Sequence, residues 1–188
     1  NIRVLEKIKK IAKKNGLIII EDASHALGAD YKKQKVGSIS DITTFSFHPV
    51  KHITSGEGGM VTTNDEETYN RLKLFRSHGI TRNREEMEKD EGEWYYEQIE
   101  LGYNYRISDI HCALGISQLK KIEKFIQRRR EIAKKYDEAF SSIEWFEIPK
   151  QKEGCNSSYH LYVIRLKNRD RKKVFDKLRN DGIGVNVH

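Results

Sequence analysis

Thr44-Phe45-Ser46-Phe47-His48-Pro49-Val50-Lys51-His52-Ile53-Thr54-Ser55-Gly56-Glu57-Gly58-Gly59 places a single lysine in a glycine-punctuated loop just after a strand-like run. Upstream, Leu17-Ile18-Ile19-Ile20-Glu21-Asp22 is another strand-like run, and it ends on a carboxylate. Its apolar part, Leu17 to Ile20, has the length and composition of a buried parallel strand. Ile42 to Phe47 reads as the next strand, and Met60 to Thr63 as another, entered through the glycine-rich loop. Ile2 to Asn15 precedes them as an amphipathic helix closed by Gly16, and Asp65 caps a helix that runs to about Phe75. This β/α alternation predicts an open α/β sheet with ligands at the carboxyl ends of its strands, where Asp22 and Lys51 fall.

The residue types at those ends fit one chemistry. Pyridoxal 5'-phosphate (PLP) needs an amine to form an imine, and lysine is the only side chain that supplies one. Its ring is an electron sink only while the ring nitrogen stays protonated, and a carboxylate holds that proton. Its phosphate needs hydroxyl and backbone donors, which Ser46 and the nearby loop amides offer. Taken one at a time, Asp22, Ser46 and Lys51 read as a strand-end cap, a solvated serine and a surface lysine; order, spacing and context favour the joint reading.

Composition bounds the alternatives. The chain has 188 residues, enough for a real core in one or two domains. A formal charge of +7 and a pI near 9.3 raise a nucleic-acid reading. The pattern opposes it, because lysines alternate with apolar residues, as in Glu6-Lys7-Ile8-Lys9-Lys10-Ile11-Ala12-Lys13-Lys14, in the manner of solvated helix faces. Arg128-Arg129-Arg130 is the sharpest basic run, yet Glu131, Ile132 and Ala133 follow at once on the same helix. A basic surface also suits an anionic substrate such as a nucleotide sugar. Cys112 and Cys155 lie far apart without metal spacing, as expected of a reduced, cytoplasmic protein. No run of about 18 apolar residues is present, so no membrane span is expected. His48 and His52 have a helical metal-ligand spacing, but Pro49 disfavours a helix there and Lys51 adds a positive charge, so no metal is expected.

Further along, Gly28 to Gly37 is a polar turn, and Ser77 to Gln98 is a charged stretch, too long for an ordinary connection, ending near Trp94-Tyr95-Tyr96. Ile107 to Phe140 reads as one long helical region or two helices. Pro149 to Ser158 is a linker or hairpin, Tyr159 to Leu166 a strand, Asp170 to Asn180 a helix, and Ile183 to Val187 the start of a last strand. The second half therefore reads as a small α/β domain.

Four stretches occur in an order that resembles one family. They are Glu21-Asp22-Ala23-Ser24-His25-Ala26-Leu27-Gly28-Ala29, Phe45-Ser46-Phe47-His48-Pro49-Val50-Lys51, Gly56-Glu57-Gly58-Gly59 and Leu101-Gly102-Tyr103-Asn104-Tyr105-Arg106-Ile107-Ser108-Asp109-Ile110. The family is the DegT/DnrJ/StrS group of sugar aminotransferases. Ser158-Tyr159-His160-Leu161-Tyr162 and Gly182-Ile183-Gly184-Val185-Asn186-Val187-His188 are similar more weakly. Within the family, the wording from Asp22 to Gly28 is similar to the branch that aminates UDP-4-keto-6-deoxy-hexosamines on the way to pseudaminic acid; elsewhere a glutamine often stands at the position of His25. Because the chain starts at Asn1 with a helix under way and stops at His188 within such a motif, it reads as an internal fragment of a longer enzyme.

The resemblance implies a fold type I PLP-dependent transferase. Residues 1–118 would be part of the large open-sheet domain and 119–188 the beginning of a small C-terminal α/β domain. It implies Lys51 as the catalytic amine that carries the cofactor and then moves protons, Asp22 on the ring nitrogen and Ser46 on the phosphate. His25 is either a hydrogen-bond partner of the ring oxygen or a neutral histidine held in a strand-end turn, and Glu57 shapes the loop. Asn104 and Arg106 would reach the neighbouring subunit's cofactor phosphate, so that a homodimer shares its active sites; read alone, they precede a helix start capped by Ser108 or Asn104. Trp94, Tyr95 and Tyr96 either line the sugar-nucleotide site or pack. The implied activity moves an amino group from glutamate to a nucleotide-linked 4-keto-6-deoxy sugar. The alternatives are a PLP-dependent sugar dehydratase, in which histidine replaces the lysine, and a non-catalytic binding or regulatory module.

Overall fold

The computed structural model describes residues 2–187, with side chains described from residue 5; Asn1 and His188, the last residue of the terminal motif, lie outside the described residues. The elements in order are α1 (Ile2–Asn15), β1 (Ile20–Asp22), β2 (Asp30–Tyr31), β3 (Gln34–Lys35), β4 (Ile42–Ser46), β5 (Gly59–Thr63), α2 (Glu66–Arg76), β6 (Ile80–Thr81), a 3-10 turn at Arg84–Glu86, β7 (Glu97–Gln98), α3 (Asp109–Leu119), α4 (Ile122–Phe140), β8 (Phe146–Glu147), β9 (Cys155–Asn156), β10 (Arg165–Leu166) and α5 (Arg171–Asn180).

The sheet that matters for function has the order β1-β4-β5. β1 runs parallel to β4, with Ile20 opposite Ile42 and Asp22 opposite Thr44, and β5 returns antiparallel on the other side of β4. The parallel strands therefore share one carboxyl edge, and the antiparallel β5 begins at that same edge with Gly59 opposite Ser46. β4 buries Thr43 and Phe45 on one face, and Ile42, Thr44 and Ser46 share the other. Asp65 caps α2 as its position suggests, accepting from the Thr68 amide at 2.7 Å.

The core lies beneath the carboxyl edge. Ala23, Ala29, Val36, Phe45, Phe47 and Ile53 form one buried cluster, with Ala26, Leu27, Ile122 and Phe125 packed against it. Small side chains in the 23–29 turn let α4 approach closely. Gly28 has φ +76°, and a Cβ there would stand 1.9 Å from Ile126 Cδ1, so both the backbone angle and the contact require glycine. Ile126 is itself only 1% exposed.

Several expectations change. The run Leu17–Ile20 is mostly not strand; only Ile20 joins β1, and Leu17, Ile18 and Ile20 are 61%, 70% and 69% exposed. Among the described residues β1 pairs with β4 alone. The 28–37 turn contains the β2–β3 hairpin, turned by Lys32 and Lys33 at φ +48° and +70°. The 149–158 stretch contributes β9, which adds to that hairpin antiparallel, Tyr31 opposite Cys155. The helical region 107–140 is two helices, separated at Lys120–Lys121.

The expected strand from Tyr159 to Leu166 is confined to β10, paired with β8. Tyr159 takes φ +46°, which breaks an extended run, and Arg129 Nη1 donates to the carbonyls of Tyr159 (3.1 Å) and His160 (3.2 Å). Ile183 to Val187 forms no strand; the Ile183 amide instead closes back on the Leu178 carbonyl at 2.9 Å, and the Val185 amide on that of Ile183 at 2.8 Å.

Gly28→Ala should destabilise the full-length protein by about 1–3 kcal/mol, the usual cost of overpacking, with left-handed strain in addition. A lower urea midpoint at unchanged m is the expected result. An unshifted midpoint would mean that α4 does not seat on this turn.

Candidate active site

Register alone places two of the expected groups together. Asp22 faces Thr44 across the parallel pair, and Ser46 lies on the same face as Thr44, so Asp22 and Ser46 share one face at the carboxyl edge. Beyond Ser46 the chain turns at His48-Pro49-Val50-Lys51, with the Lys51 amide donating to the His48 carbonyl at 2.9 Å, and proline presets the corner. The loop then closes on its own start. The Phe47 carbonyl accepts from Thr54 Oγ1 (3.0 Å) and the Ser55 amide (3.1 Å), and the Phe47 amide donates to the Gly58 carbonyl at 2.8 Å. His52, Ile53 and Ser55 are buried to 4%, 2% and 1% exposure, so the loop is plugged into the core with half-buried Lys51 at its rim.

The glycines of this loop are steric necessities. A Cβ on Gly59 would stand 2.6 Å from the Phe45 carbonyl oxygen, and one on Gly58, at φ +147°, would meet Ser55 Oγ at 2.6 Å and Ile107 Cδ1 at 2.7 Å. Side-chain-free backbone beside Ser46 is what close approach of a phosphate requires.

Asp22 accepts two bonds from Ser24, from its hydroxyl at 2.6 Å and its amide at 2.9 Å. These bonds, with His25 and Lys51 as nearby positive charges, hold its carboxyl below the usual carboxylate range. The carboxylate is exposed at the sheet edge and ionised, which is the state that retains a proton on a ring nitrogen. Among the described residues Ser46 Oγ meets only the His48 amide, at 3.4 Å. Amine, ionised carboxylate, hydroxyl and glycine cradle at one edge fit PLP as a donor set.

His25 stands in the turn after Asp22 and is exposed. Its ring lies 4.2 Å from that of His160, which in turn is 5.4 Å from that of His52. His52 joins this ring cluster as a buried residue, a role its sequence pattern does not announce. Neither of its ring nitrogens meets a hydrogen-bond partner among the described residues. Burial, with the charges of Arg129, His160 and His25, lowers its pKa to about 4. No cluster of metal-ligand type is present among the described residues.

Asn104 and Arg106 are exposed. Their segment is held to the end of α2, the Tyr103 amide on the Phe75 carbonyl (2.7 Å) and the Tyr105 amide on that of Arg76 (3.0 Å). Ser108, not Asn104, caps α3, accepting from the His111 amide. The start of α3 nonetheless borders the glycine loop, with Ile107 against Gly58 and His111 against Gly56. Trp94 and Tyr95 belong to an ordered excursion closed by β6 and β7. The Tyr95 hydroxyl donates to Glu97 Oε1 at 2.8 Å, which pushes its pKa up to about 12, and Trp94 packs edge-on against Tyr95 while remaining 68% exposed. Register and loop closure bring Asp22, Ser46 and Lys51 to one edge with His25 in the turn beside it, and among the described residues no hydrogen bond, ion pair or ring contact joins Asn104, Arg106, Trp94 or Tyr95 to them.

An open α/β sheet whose strand ends gather these groups defines the class of PLP-type transferases. The DegT/DnrJ/EryC1/StrS aminotransferase profile matches residues 1–188, and the chain belongs to that family. It is 46% identical over 187 residues to the UDP-4-amino-4,6-dideoxy-N-acetyl-beta-L-altrosamine transaminase of Campylobacter jejuni, covering 98% of this chain and 48% of that protein. Helicobacter pylori PseC, an aminotransferase involved in the biosynthesis of pseudoaminic acid, superposes with a TM-score of 0.87 at 39% identity, over 97% of this chain and 48% of PseC. A Streptococcus pneumoniae protein assigned as a sugar aminotransferase, solved in its PLP form, superposes with a TM-score of 0.81 at 35% identity, over 92% of this chain and 44% of that one. The chain thus spans about half the length of the curated relatives it matches.

His52 sets a pH dependence. The folded protein keeps its imidazole neutral down to about 4, whereas the unfolded one takes up a proton near 6.5. The unfolded state therefore binds more protons within that window, and stability falls as the pH drops through it, by up to ~1.4 kcal/mol per pH unit. Urea melts between pH 4.5 and pH 7, in about half-unit steps, should show this slope flattened in His52→Phe. The same slope in the variant would contradict a neutral buried imidazole.

Proposed function

We propose that the full-length protein transfers an amino group from glutamate to a nucleotide-linked 4-keto-6-deoxy sugar, with UDP-linked hexosamine and C4 as the favoured substrate and position. The observation that carries this reading is the shared face of Asp22 and Ser46 at the strand edge that leads directly into the Lys51 turn. Bound PLP would supply an electron sink for breaking and making bonds at the amine-bearing carbon. Lys51 Nζ supplies the amine that holds the cofactor and, when free, the base that accepts and returns a proton. Asp22 keeps the ring nitrogen protonated, Ser46 Oγ and the loop amides bind the phosphate, and His25 donates to the ring oxygen. Lysine rather than histidine at position 51 supports an aminotransferase over the dehydratase alternative.

The same reading makes the enzyme a cytoplasmic homodimer. Among the described residues no helix is long and apolar enough to cross a membrane. Asn104 and Arg106, both exposed, serve the partner's phosphate, and Trp94 and Tyr95 contact the sugar nucleotide. The large domain ends near residue 118, at the close of α3, and the small domain begins at 119.

Lys51→Ala should abolish amination of a UDP-linked 4-keto-6-deoxy-hexosamine with glutamate, while thermal unfolding stays near wild type. Subunits carrying Asn104→Ala with Arg106→Ala should also be nearly inactive. Mixing the two inactive proteins should restore part of the activity, because one site of the heterodimer has both lesions and the other has neither. Transamination by Lys51→Ala alone would overturn the assignment. Failure to complement despite proven subunit exchange would return Asn104 and Arg106 to their own subunit.

A further inference from the structure

We infer that His160 is a positioning residue for His25, anchored by Arg129, so that α4 and the segment packed on it set the orientation of a side chain at the cofactor edge. The inference rests on the assignment of His25 to the cofactor made above.

The physical path is continuous. Arg129 lies in α4, the helix that Gly28 and Ile126 seat against the turn carrying His25. Its Nη1 donates to the carbonyls of both Tyr159 and His160, at 3.1 and 3.2 Å. A guanidinium on two successive carbonyls fixes the backbone of His160 from one side, since its donors are rigidly planar. Tyr159 is held at φ +46°, an unfavourable angle for an aromatic residue, with its amide on Ser157 Oγ (3.0 Å) and its hydroxyl accepting from Gln151 (2.7 Å). Strain of this kind persists only where surrounding contacts impose it, and it is commonest beside functional groups. Arg130 reinforces the hold, donating to the Ser157 carbonyl at 2.9 Å and standing 3.9 Å from Asp30. Ser158 is 1% exposed.

The outcome of this anchoring is the ring contact of His160 with His25, at 4.2 Å and an interplanar angle of 47°. His25 is otherwise exposed on the turn after Asp22. Without the neighbouring ring its imidazole would sample several rotamers, and a hydrogen-bond donor that must meet one oxygen loses effectiveness when it does so. His52, next to Lys51 in the chain and with its ring 5.4 Å from that of His160, joins the cluster from the lysine loop. Both segments that carry the reacting edge are thus referred to one ring.

The test uses the full-length enzyme and the variants His160→Ala, His160→Phe and Arg129→Gln, with His25→Ala as background. Three quantities are read: PLP affinity of cofactor-free enzyme by fluorescence, the glutamate half-reaction, and the ring resonances of histidine labelled at Cε1. His160→Ala and Arg129→Gln should each weaken PLP binding and slow the half-reaction at saturating glutamate by about tenfold, with KM for glutamate little changed. His160→Phe, which keeps a ring at the contact, should restore most of both. In cofactor-free protein the His25 resonance should move and broaden in His160→Ala and return in His160→Phe. In the His25→Ala background, His160→Ala should add nothing.

An undiminished effect of His160→Ala in that background, or an unmoved His25 resonance, would overturn the positioning role. If the resonance moves as expected while His25→Ala leaves PLP affinity and rate at wild-type values, positioning stands and the assignment of His25 to the cofactor falls.

Discussion

The parallel pairing of Ile20–Asp22 with Ile42–Ser46 is the constraint on which the rest of the site depends. Side chains in a strand alternate, so a slip of one residue would send Asp22 and Ser46 to opposite faces. The observed register, Asp22 opposite Thr44, keeps them on one. That register is maintained by bonds beyond the short strand itself. Ile19 donates to Asp41 Oδ2 at 2.8 Å, Ile42 to the Ile19 carbonyl at 3.1 Å, and Ala23 to the Thr44 carbonyl at 2.9 Å. Phe45 and Phe47, pointing to the opposite face from Ser46, bury the other side in the core. Chemistry and stability are therefore divided between the two faces of one five-residue strand.

From that strand the lysine loop inherits its placement. Phe47 is the hinge, since its carbonyl accepts the loop's closing bonds from Thr54 and Ser55 and its amide donates to the Gly58 carbonyl. Buried His52, Ile53 and Ser55 then tie the segment after Lys51 to the interior. A lysine whose own side chain must remain free to move is held through its neighbours' backbone. The other half of the chain is joined to the same place by α4, by β9 on the β2 hairpin and by the two arginines that grip residues 156–160. The basic run Arg128-Arg129-Arg130 is thus accounted for within the fold, Arg128 pairing with Glu131 at 3.0 Å.

Much of this was legible in the residues because it is local. The strand end at Asp22, the end of the next strand at Ser46–Phe47, the loop carrying Lys51, the Asp65 cap, Ser108 as one of two candidate caps and the helices α1, α2 and α5 all follow from short-range pattern. The hydroxyl pairing of Ser24 with Asp22 was also available, as a serine two positions after an aspartate at a strand end invites it. What could not be read depends on groups far apart in the chain. The addition of β9 to β2, the capture of the Tyr159 and His160 carbonyls by Arg129, and the ring contact of His25 with His160 join residues from opposite halves. The apolar runs at Leu17–Ile19 and Ile183–Val187 read as strands but are not strand here, because hydrophobic pattern alone does not fix where strand pairing begins.

The central claim is that Lys51 carries the cofactor. Borohydride reduction of the PLP-loaded full-length enzyme, followed by peptide mass mapping, tests it most directly. The account predicts one phosphopyridoxyl group per subunit, on the peptide containing Lys51 and on its Nζ. A phosphopyridoxyl group on a different lysine, or a low level spread over the surface lysines of α1 and α4, would contradict it.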